Sequence, residues 1–514
     1  MQPNRRSRYK KSEQVLSFFL WTMLFAMAYC QSPLFTSNQN QYFLHGMAHA
    51  GVGYLNRDWL ANTADPTPVF SSLVELTYRL IPWEPIFYGY YALLMGIYFF
   101  SLYGIVRFLF PIEKSITHKL FFIALFFLIH SAGLRFALSR LIGVNWTYVL
   151  EDGVADQRML GSVFQPSTFG VFLLFSIYLF LDQRPYLAIA SACLAAIFHP
   201  TYLLSAAVLT LAYMVLLFRD THKWTPPLTL GFMALILVSP IVYQSFSIFG
   251  GNDAALVERA RQILIEYRIP HHALIEQWWD ATAIIKILFV VAALWVTRKK
   301  QASIIILIPF CAAILLTVLQ VITHNSALAL IFPWRISTFL VPLSVAILLA
   351  RLVTLSIDKI ATHTSLNFIT INVISMVLIS LAVISGISRF SLDLMRKENI
   401  PERALFNFVS KNKKPTNLYL IPTKMQDFRL ATGSPVFIEF KSIPYKDSDV
   451  IEWYRRITLN NCFYQDKDCM QLSSLIEKEG ITHIVIESTS EFQGCPFLSV
   501  QYQDPNYMIY QVRH

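Results

Sequence analysis

The side chain that most needs an explanation is Arg335, which sits inside the apolar run IFPWRISTFL. A guanidinium at membrane depth is costly unless it is paired, so an ionisable residue there is a functional candidate; the alternative is an arginine that snorkels to the outer headgroups. Other ionisable groups gather in the same half of the chain's topology. Asp58 and Asp65 lie in one long polar segment, Glu151, Asp152 and Asp156 in a second, and Arg135, Arg158 and Arg268 accompany them. Seven of the twelve histidines (His45, His49, His130, His199, His271, His272 and His324) fall at or near that face. For each single histidine the competing reading is interface packing. Arginine binds phosphate through two parallel hydrogen bonds. A carboxylate beside it can hold a divalent cation, Mg2+ or Mn2+, or take a proton from a hydroxyl. The set therefore suits a phosphate-bearing lipid, with Arg335, Arg268, Arg158, His271, His272, His199 and His49 as candidate binding residues. Glu151, Asp152 and Asp156 are the candidate cation ligands. His45 and His49, four apart, lack the glutamate of a zinc-protease helix.

These groups must be positioned by a membrane scaffold. Hydrophobic residues make up 55% of the 514 and charged residues 14%, whereas soluble domains carry about 25% charged. The apolar residues cluster into eleven blocks of about bilayer length: 14–33, 84–110, 119–138, 166–182, 185–199, 201–218, 226–248, 281–297, 302–323, 328–350 and 366–390. The blocks 185–199 and 201–218 meet at His199-Pro200, as a tight hairpin or a broken helix. With the N-terminus inside, the inner segments hold 15 Lys/Arg in 52 residues, and the outer loops 31–83, 135–165, 249–280 and 324–327 hold 8 in 120, all arginine. That asymmetry places the N-terminus in the cytoplasm and the C-terminal tail outside it. It also explains the net charge of +10 without a nucleic-acid partner. The first block is read as a retained helix, being long for a signal peptide.

The expected fold is a mainly α, polytopic helix bundle of about eleven spans over 1–391, followed by an α/β soluble domain over 392–514. Two outer loops carry amphipathic stretches: Leu73, Leu76 and Leu80 in the first, and Leu256, Ala260, Ile263, Leu264 and Tyr267 in the third, the latter ended by Pro270. Both suit helices lying in the membrane interface or on the bundle. In the tail, a helix over Glu402–Ser410, another from Ser448-Asp449 to Arg456 and a third in QLSSLIEKEG are expected. NLYLIP, VFIEF, ITHIVIES, FLSVQYQ and YMIYQV read as strands, the last two as a hairpin over DPN. Cys462 and Cys469 either pair across NCFYQDKDC or remain thiols. No P-loop and no Gly-x-Ser-x-Gly elbow occurs, which removes support for ATP-driven transport and α/β-hydrolase chemistry.

Five segments, YFLHGMAHAGVGYLNRDWLANTADP, FQPSTFGVFLLFSIYLF, FHPTYLLSAAVLTLAYM, RIPHHALIEQWW and FRLATGSPVFIEFKSIPY, resemble a bacterial, cyanobacteria-type family of multi-pass membrane proteins. More broadly, the order of one helix, a long outer loop with an aspartate, further outer loops and an outer α/β tail resembles the C-type (GT-C) membrane glycosyltransferases. That resemblance implies a polyprenyl-phosphate sugar donor, an envelope glycan, lipid or protein acceptor, and a catalytic acid in the first outer loop. Asp58, in NRDW, is the position that matches; the paired Asp-x-Asp of such enzymes is missing, with Asp65 seven residues on. The implied location is the bacterial inner membrane with a periplasmic active site. An O-antigen-like polymerase or ligase, working through Arg and His, is the rival enzyme. A transporter or flippase is the rival outside enzymology.

Overall fold

The computed structural model describes residues 5–249, 253–363, 368–490, 492 and 494–513. The chain is mainly helical, with a small sheet near its C-terminus. It divides into two compact units. One comprises Met1–Gln31, Pro85–Tyr243 and Ile269–Leu392; the other comprises Ser32–Glu84, Gln244–Arg268 and Asp393–His514. The last of the unit boundaries in chain order falls at Leu392/Asp393, one residue from 391/392. The first outer loop and part of the third, expected with the bundle, cluster instead with the tail.

The first unit is built from apolar helices. Among the described residues six helices are long and apolar enough to cross a membrane, or seven if a bent pair counts as one. They are Ile86–Leu109, Pro200–Thr221, Thr225–Ile248, Ala302–Thr323, Ser326–Lys359 and Phe368–Glu398. Val15–Tyr29, Pro166–Leu181, Pro185–Phe198 and Ala281–Thr297 are apolar but shorter. Helix is the form that satisfies every backbone group within one segment, as lipid requires. In Ile86–Leu109 and Ser326–Lys359, 67% of the most apolar stretch is buried in protein, against 22% in Phe368–Glu398 and 17% in Thr225–Ile248. The first two are therefore inner helices, and the last two present most of their surface outward.

Two predicted blocks are broken, each where polar residues matter. The block 119–138 is two helices, Ile116–Ile129 and Ala132–Leu141, bent by 51°. Ser131 restarts the chain by accepting a hydrogen bond from Leu134 N at 3.1 Å. The chain also breaks at His199-Pro200, where two predicted blocks meet. Block 328–350 begins as a short helix, Ser326–Leu330, passes through Phe332 at φ 52°, and turns through 3-10 residues Pro333–Ile336 before the long helix Ser337–His363. Arg335 thus lies at a helix break.

The second unit holds a four-stranded sheet, β1 Tyr419–Leu420, β2 His483–Glu487, β3 Leu498–Gln503 and β4 Tyr507–Val512, in the order β1-β2-β4-β3. β1 runs parallel to β2, and the other pairs are antiparallel. The β3–β4 hairpin turns over Asp504, whose Oδ1 accepts from Asn506 N and Tyr507 N, both at 2.7 Å. VFIEF forms no strand beyond a bridge between Tyr419 and Val436. The helix expected to stop at Arg456 runs from Asp447 to Asp466, and QLSSLIEKEG is helical from Cys469 to Glu479, ending at Gly480. The amphipathic stretch of the third loop is helical over Ala254–Gln262 and continues as a π-helix over Ile263–Arg268. Its apolar face does not float: Ala260 and Ile263 are buried in one core with Trp453, Ile457 and Phe463, and Leu264 packs against it. The Pro68–Leu80 helix of the first loop buries Phe70, Val74 and Thr77 on one side.

Candidate functional site

In the first unit, the loop carrying Glu151, Asp152 and Asp156 packs onto the break that holds Arg335. Gly153 makes this approach possible, because a Cβ there would stand 2.5 Å from Ser337 Oγ and 2.9 Å from Thr338 N. Val154 N donates to Ser337 Oγ at 2.8 Å, and Gly153 N to Gln157 O at 2.8 Å. Ala155 and Asp156 follow at φ 57° and 51°. Two consecutive non-glycine residues in the left-handed region cost of order 1–3 kcal/mol each, a strain found at functional sites. The loop is tied further by His272 Nδ1, which donates to Ala155 O at 2.7 Å, and by Lys286 Nζ, which donates to Gly153 O at 2.8 Å.

Cations outnumber acids in this cluster. Arg135, Lys286 and Arg335 are buried, with Arg158 beside them, against the buried Glu151 and Asp152. Arg135 Nη1 lies 3.2 Å from Glu151 Oε1, and Arg158 Nε lies 2.8 Å from Asp152 Oδ2. Arg158 also stacks on Tyr148, its guanidinium carbon 4.3 Å from the ring centroid. Burial lifts the Glu151 carboxyl to about 7 and the Asp152 carboxyl to about 6, against the pull of Arg135 and Arg158 respectively. Burial first, then His271, lowers His272 to about 3, so its imidazole is neutral and acts as a hydrogen-bond donor to the loop.

Among the described residues Arg335 has no carboxylate partner. Its Nη1 donates to Gln157 Oε1 at 2.7 Å, and its guanidinium carbon stands 4.7 Å from the Tyr202 ring centroid. Its Nε and Nη2 are buried without a hydrogen-bond acceptor. Leaving such a donor unsatisfied costs about 1–3 kcal/mol, more for a charged group. Arg335 also acts electrostatically on His199 and His272. His199 is held by Thr201, Nδ1 to Oγ1 3.1 Å. The structure thus brings together Arg335, Arg158, His272, Glu151 and Asp152, with His199 within Arg335's electrostatic reach.

Asp58 belongs to the other unit and has a different environment. It has no exposed surface. Oδ2 accepts from Arg429 Nε at 2.7 Å and from Val436 N at 3.0 Å, and Oδ1 accepts from Leu60 N at 3.0 Å. Arg429 Nη1 reaches Glu439 Oε1 at 3.0 Å, and Glu439 is also tied to Lys441 N and Ser442 N. Asp58–Arg429–Glu439 is therefore a closed, buried ion triad that joins the first loop to the tail segment. Beside it the backbones touch, Tyr54 N donating to Gly433 O at 2.8 Å, with Gly433 at φ 68°. A carboxylate occupied in this way is an anchor, and the expectation of Asp58 as a general base is not carried further. Arg268, in the same unit, donates to Lys441 O at 2.5 Å and covers Phe440. His49 is exposed and sits 3.7 Å from Glu75.

The trio Glu151, Asp152 and Asp156 does not make a cation cage: the first two are each held by an arginine, and the third is exposed. Among the described residues no three His, Cys, Asp or Glu side chains converge for a metal. The cysteine expectation is corrected as well. Cys469 pairs with Cys495, and Cys462 is a thiol.

Several partners escaped the sequence reading. Lys286 had a signal, a lone charge in ATAIIKILFVV, by the same reasoning that singled out Arg335. Gln157 and Ser337 are ordinary polar residues with none. Arg429 and Glu439 look like surface charges of a soluble domain. Residues 401–459, which include both, match the model of a family described as a domain of unknown function, DUF6798. No curated protein matches the chain.

Proposed function

We propose that the protein is a GT-C-like glycosyltransferase with up to eleven spans, in the bacterial inner membrane with its site facing the periplasm. It moves a sugar from a polyprenyl-phosphate-linked donor to a hydroxyl of an envelope glycan, lipid or protein. One observation carries the reading: four cations stand against three acids, Glu151, Asp152 and the exposed Asp156, where the Glu151–Arg158 loop meets the helix break at Arg335, and the charge left over is that of Arg335, suited to a lipid phosphate. The base is drawn from this loop: Asp152, raised to about 6, is ionised at physiological pH, and its partner Arg158 is the more exposed of the two arginines that hold the acids. In the reaction the acceptor oxygen bonds to the sugar carbon as the bond from that carbon to phosphate oxygen breaks. The acceptor proton goes to the carboxylate, and the cations offset the charge on the departing phosphate. The disulfide Cys469–Cys495 supports a tail in an oxidising compartment.

The test is transfer from a radiolabelled polyprenyl-phosphate sugar to endogenous acceptors in inverted and right-side-out vesicles. Asp152→Asn is expected to lose at least about a hundredfold in rate, the usual size of a general-base contribution. Wild-type protein without transfer from any such donor would overturn the reading. The engagement of Asp58 favours one second reading, an O-antigen-like polymerase or ligase working through Arg335, Arg158 and His272. Activity that survives Asp152→Asn and disappears in Arg335→Ala identifies it.

A further inference from the structure

The three donor atoms of the Arg335 fork are not equivalent. Nη1 is taken by Gln157, while Nε and Nη2, the pair on one edge of the guanidinium plane, are buried with no acceptor. That edge is the one that binds a phosphate or carboxylate through two parallel hydrogen bonds. The guanidinium is held for it from two other directions. Gln157 fixes the rotation from the opposite nitrogen, and its own backbone carbonyl accepts from Gly153 N at 2.8 Å. The Tyr202 ring supports the plane at 4.7 Å and is itself fixed by its hydroxyl, which donates to Ser167 O at 2.7 Å. The long helix Ser337–His363 begins two residues after Arg335, so its positive end lies at the same place. Arg335 keeps 8% of its surface exposed, but Nε and Nη2 themselves have essentially none, so a ligand reaches this edge only when the packing over it opens.

We infer that the free edge of Arg335 is a two-pronged receptor for a phosphate group, and that Gln157 is the positioning residue that presents it. The inference shares its site with the transferase reading but does not require sugar transfer. Arg135, Arg158, Lys286 and Arg335 against Glu151, Asp152 and Asp156 leave one positive charge over, that of Arg335, so the edge suits an anion, and two oxygens of a phosphate match its two parallel donors. The phosphate is either that of a lipid headgroup or a free one, and the two have the same contacts here.

The experiment is calorimetric binding to the full chain in nanodiscs of neutral lipid. The probes are inorganic phosphate, citronellyl phosphate and neutral citronellol. Citronellyl phosphate binding without inorganic phosphate binding marks a headgroup site, and binding of both marks a site for the phosphate itself. Arg335→Lys retains the charge and loses the fork, and is expected to weaken binding by at least about tenfold. In a Gln157→Leu background the affinity ratio between the protein with Arg335 intact and the one carrying Arg335→Lys shrinks to within about twofold, because an unanchored guanidinium no longer presents its edge. If Gln157 served only to stabilise the fold, both proteins would weaken together and keep their ratio, which would overturn its positioning role. Phosphate binding that is equal in wild type and Arg335→Lys, or absent from both, overturns the receptor. Arg335-dependent binding with no sugar transfer from any donor would sink the transferase reading alone.

Discussion

The same residue types do opposite work at two places in this chain, and accessibility and partners decide which. Asp58 is saturated by Arg429 and two backbone amides with no exposed surface. Removing one member of a buried pair leaves an uncompensated charge, costing about 3–5 kcal/mol. Asp58→Asn and Arg429→Met are therefore expected to lower the unfolding temperature of the tail-containing unit by similar amounts, measured by tryptophan fluorescence. An Asp58→Asn protein that melts like wild type would remove the anchor role. In the other unit, Glu151 and Asp152 are raised to about 7 and about 6 by burial. A carboxyl with a raised folded-state pKa binds more protons folded than unfolded, so its ionisation opposes folding. Stability of the helical unit should accordingly fall as pH rises from about 4 to about 7 and level off above. Glu151→Gln should flatten this slope in thermal scans at fixed pH. Gly153→Ala forces a Cβ to within 2.5 Å of Ser337 Oγ and 2.9 Å of Thr338 N. It should cost about 1–3 kcal/mol and weaken phosphate binding by misplacing Gln157, both readable on the same nanodisc sample.

At the scale of elements, the breaks in helices matter more than the helices. The 51° bend after Ile129 starts a new helix on which Arg135 faces Glu151, and the turn at Pro333 places Arg335 beside the acid loop. The apolar blocks were legible because hydrophobic run length is a local property. The break at His199-Pro200 was legible from its proline and Pro333 carries the same signal inside block 328–350, whereas Ser131 gives none within an apolar run. In the tail, the hairpin over DPN and the helix ended by Gly480 were legible from turn chemistry, whereas the cysteine pairing depended on which loops meet. Cys469 and Cys495 are 26 residues apart, and loop-closure entropy gives such a bridge roughly 3 kcal/mol. Cys495→Ser should reduce the tail unit's stability to chemical denaturant by about that amount, and Cys462→Ser should leave it unchanged.

At the scale of the whole molecule, the sequence alone determined that this is a membrane protein with a mixed α/β tail, because burial in lipid demands apolar runs that composition reveals directly. It also singled out Arg335, since a charge in an apolar run is conspicuous wherever the chain goes. The proposed periplasmic exposure of the tail rests on the arginine and lysine asymmetry. An impermeant maleimide that labels Cys462 in intact spheroplasts is the expected outcome; labelling only after lysis would reverse the orientation. Only the tertiary structure decided which acids serve as anchors and which lie with the cations. Asp58 meets Arg429 across 371 positions and Arg335 meets Gln157 across 178. Pairings at such separations depend on how helices and loops pack, and nothing local to either residue encodes its partner.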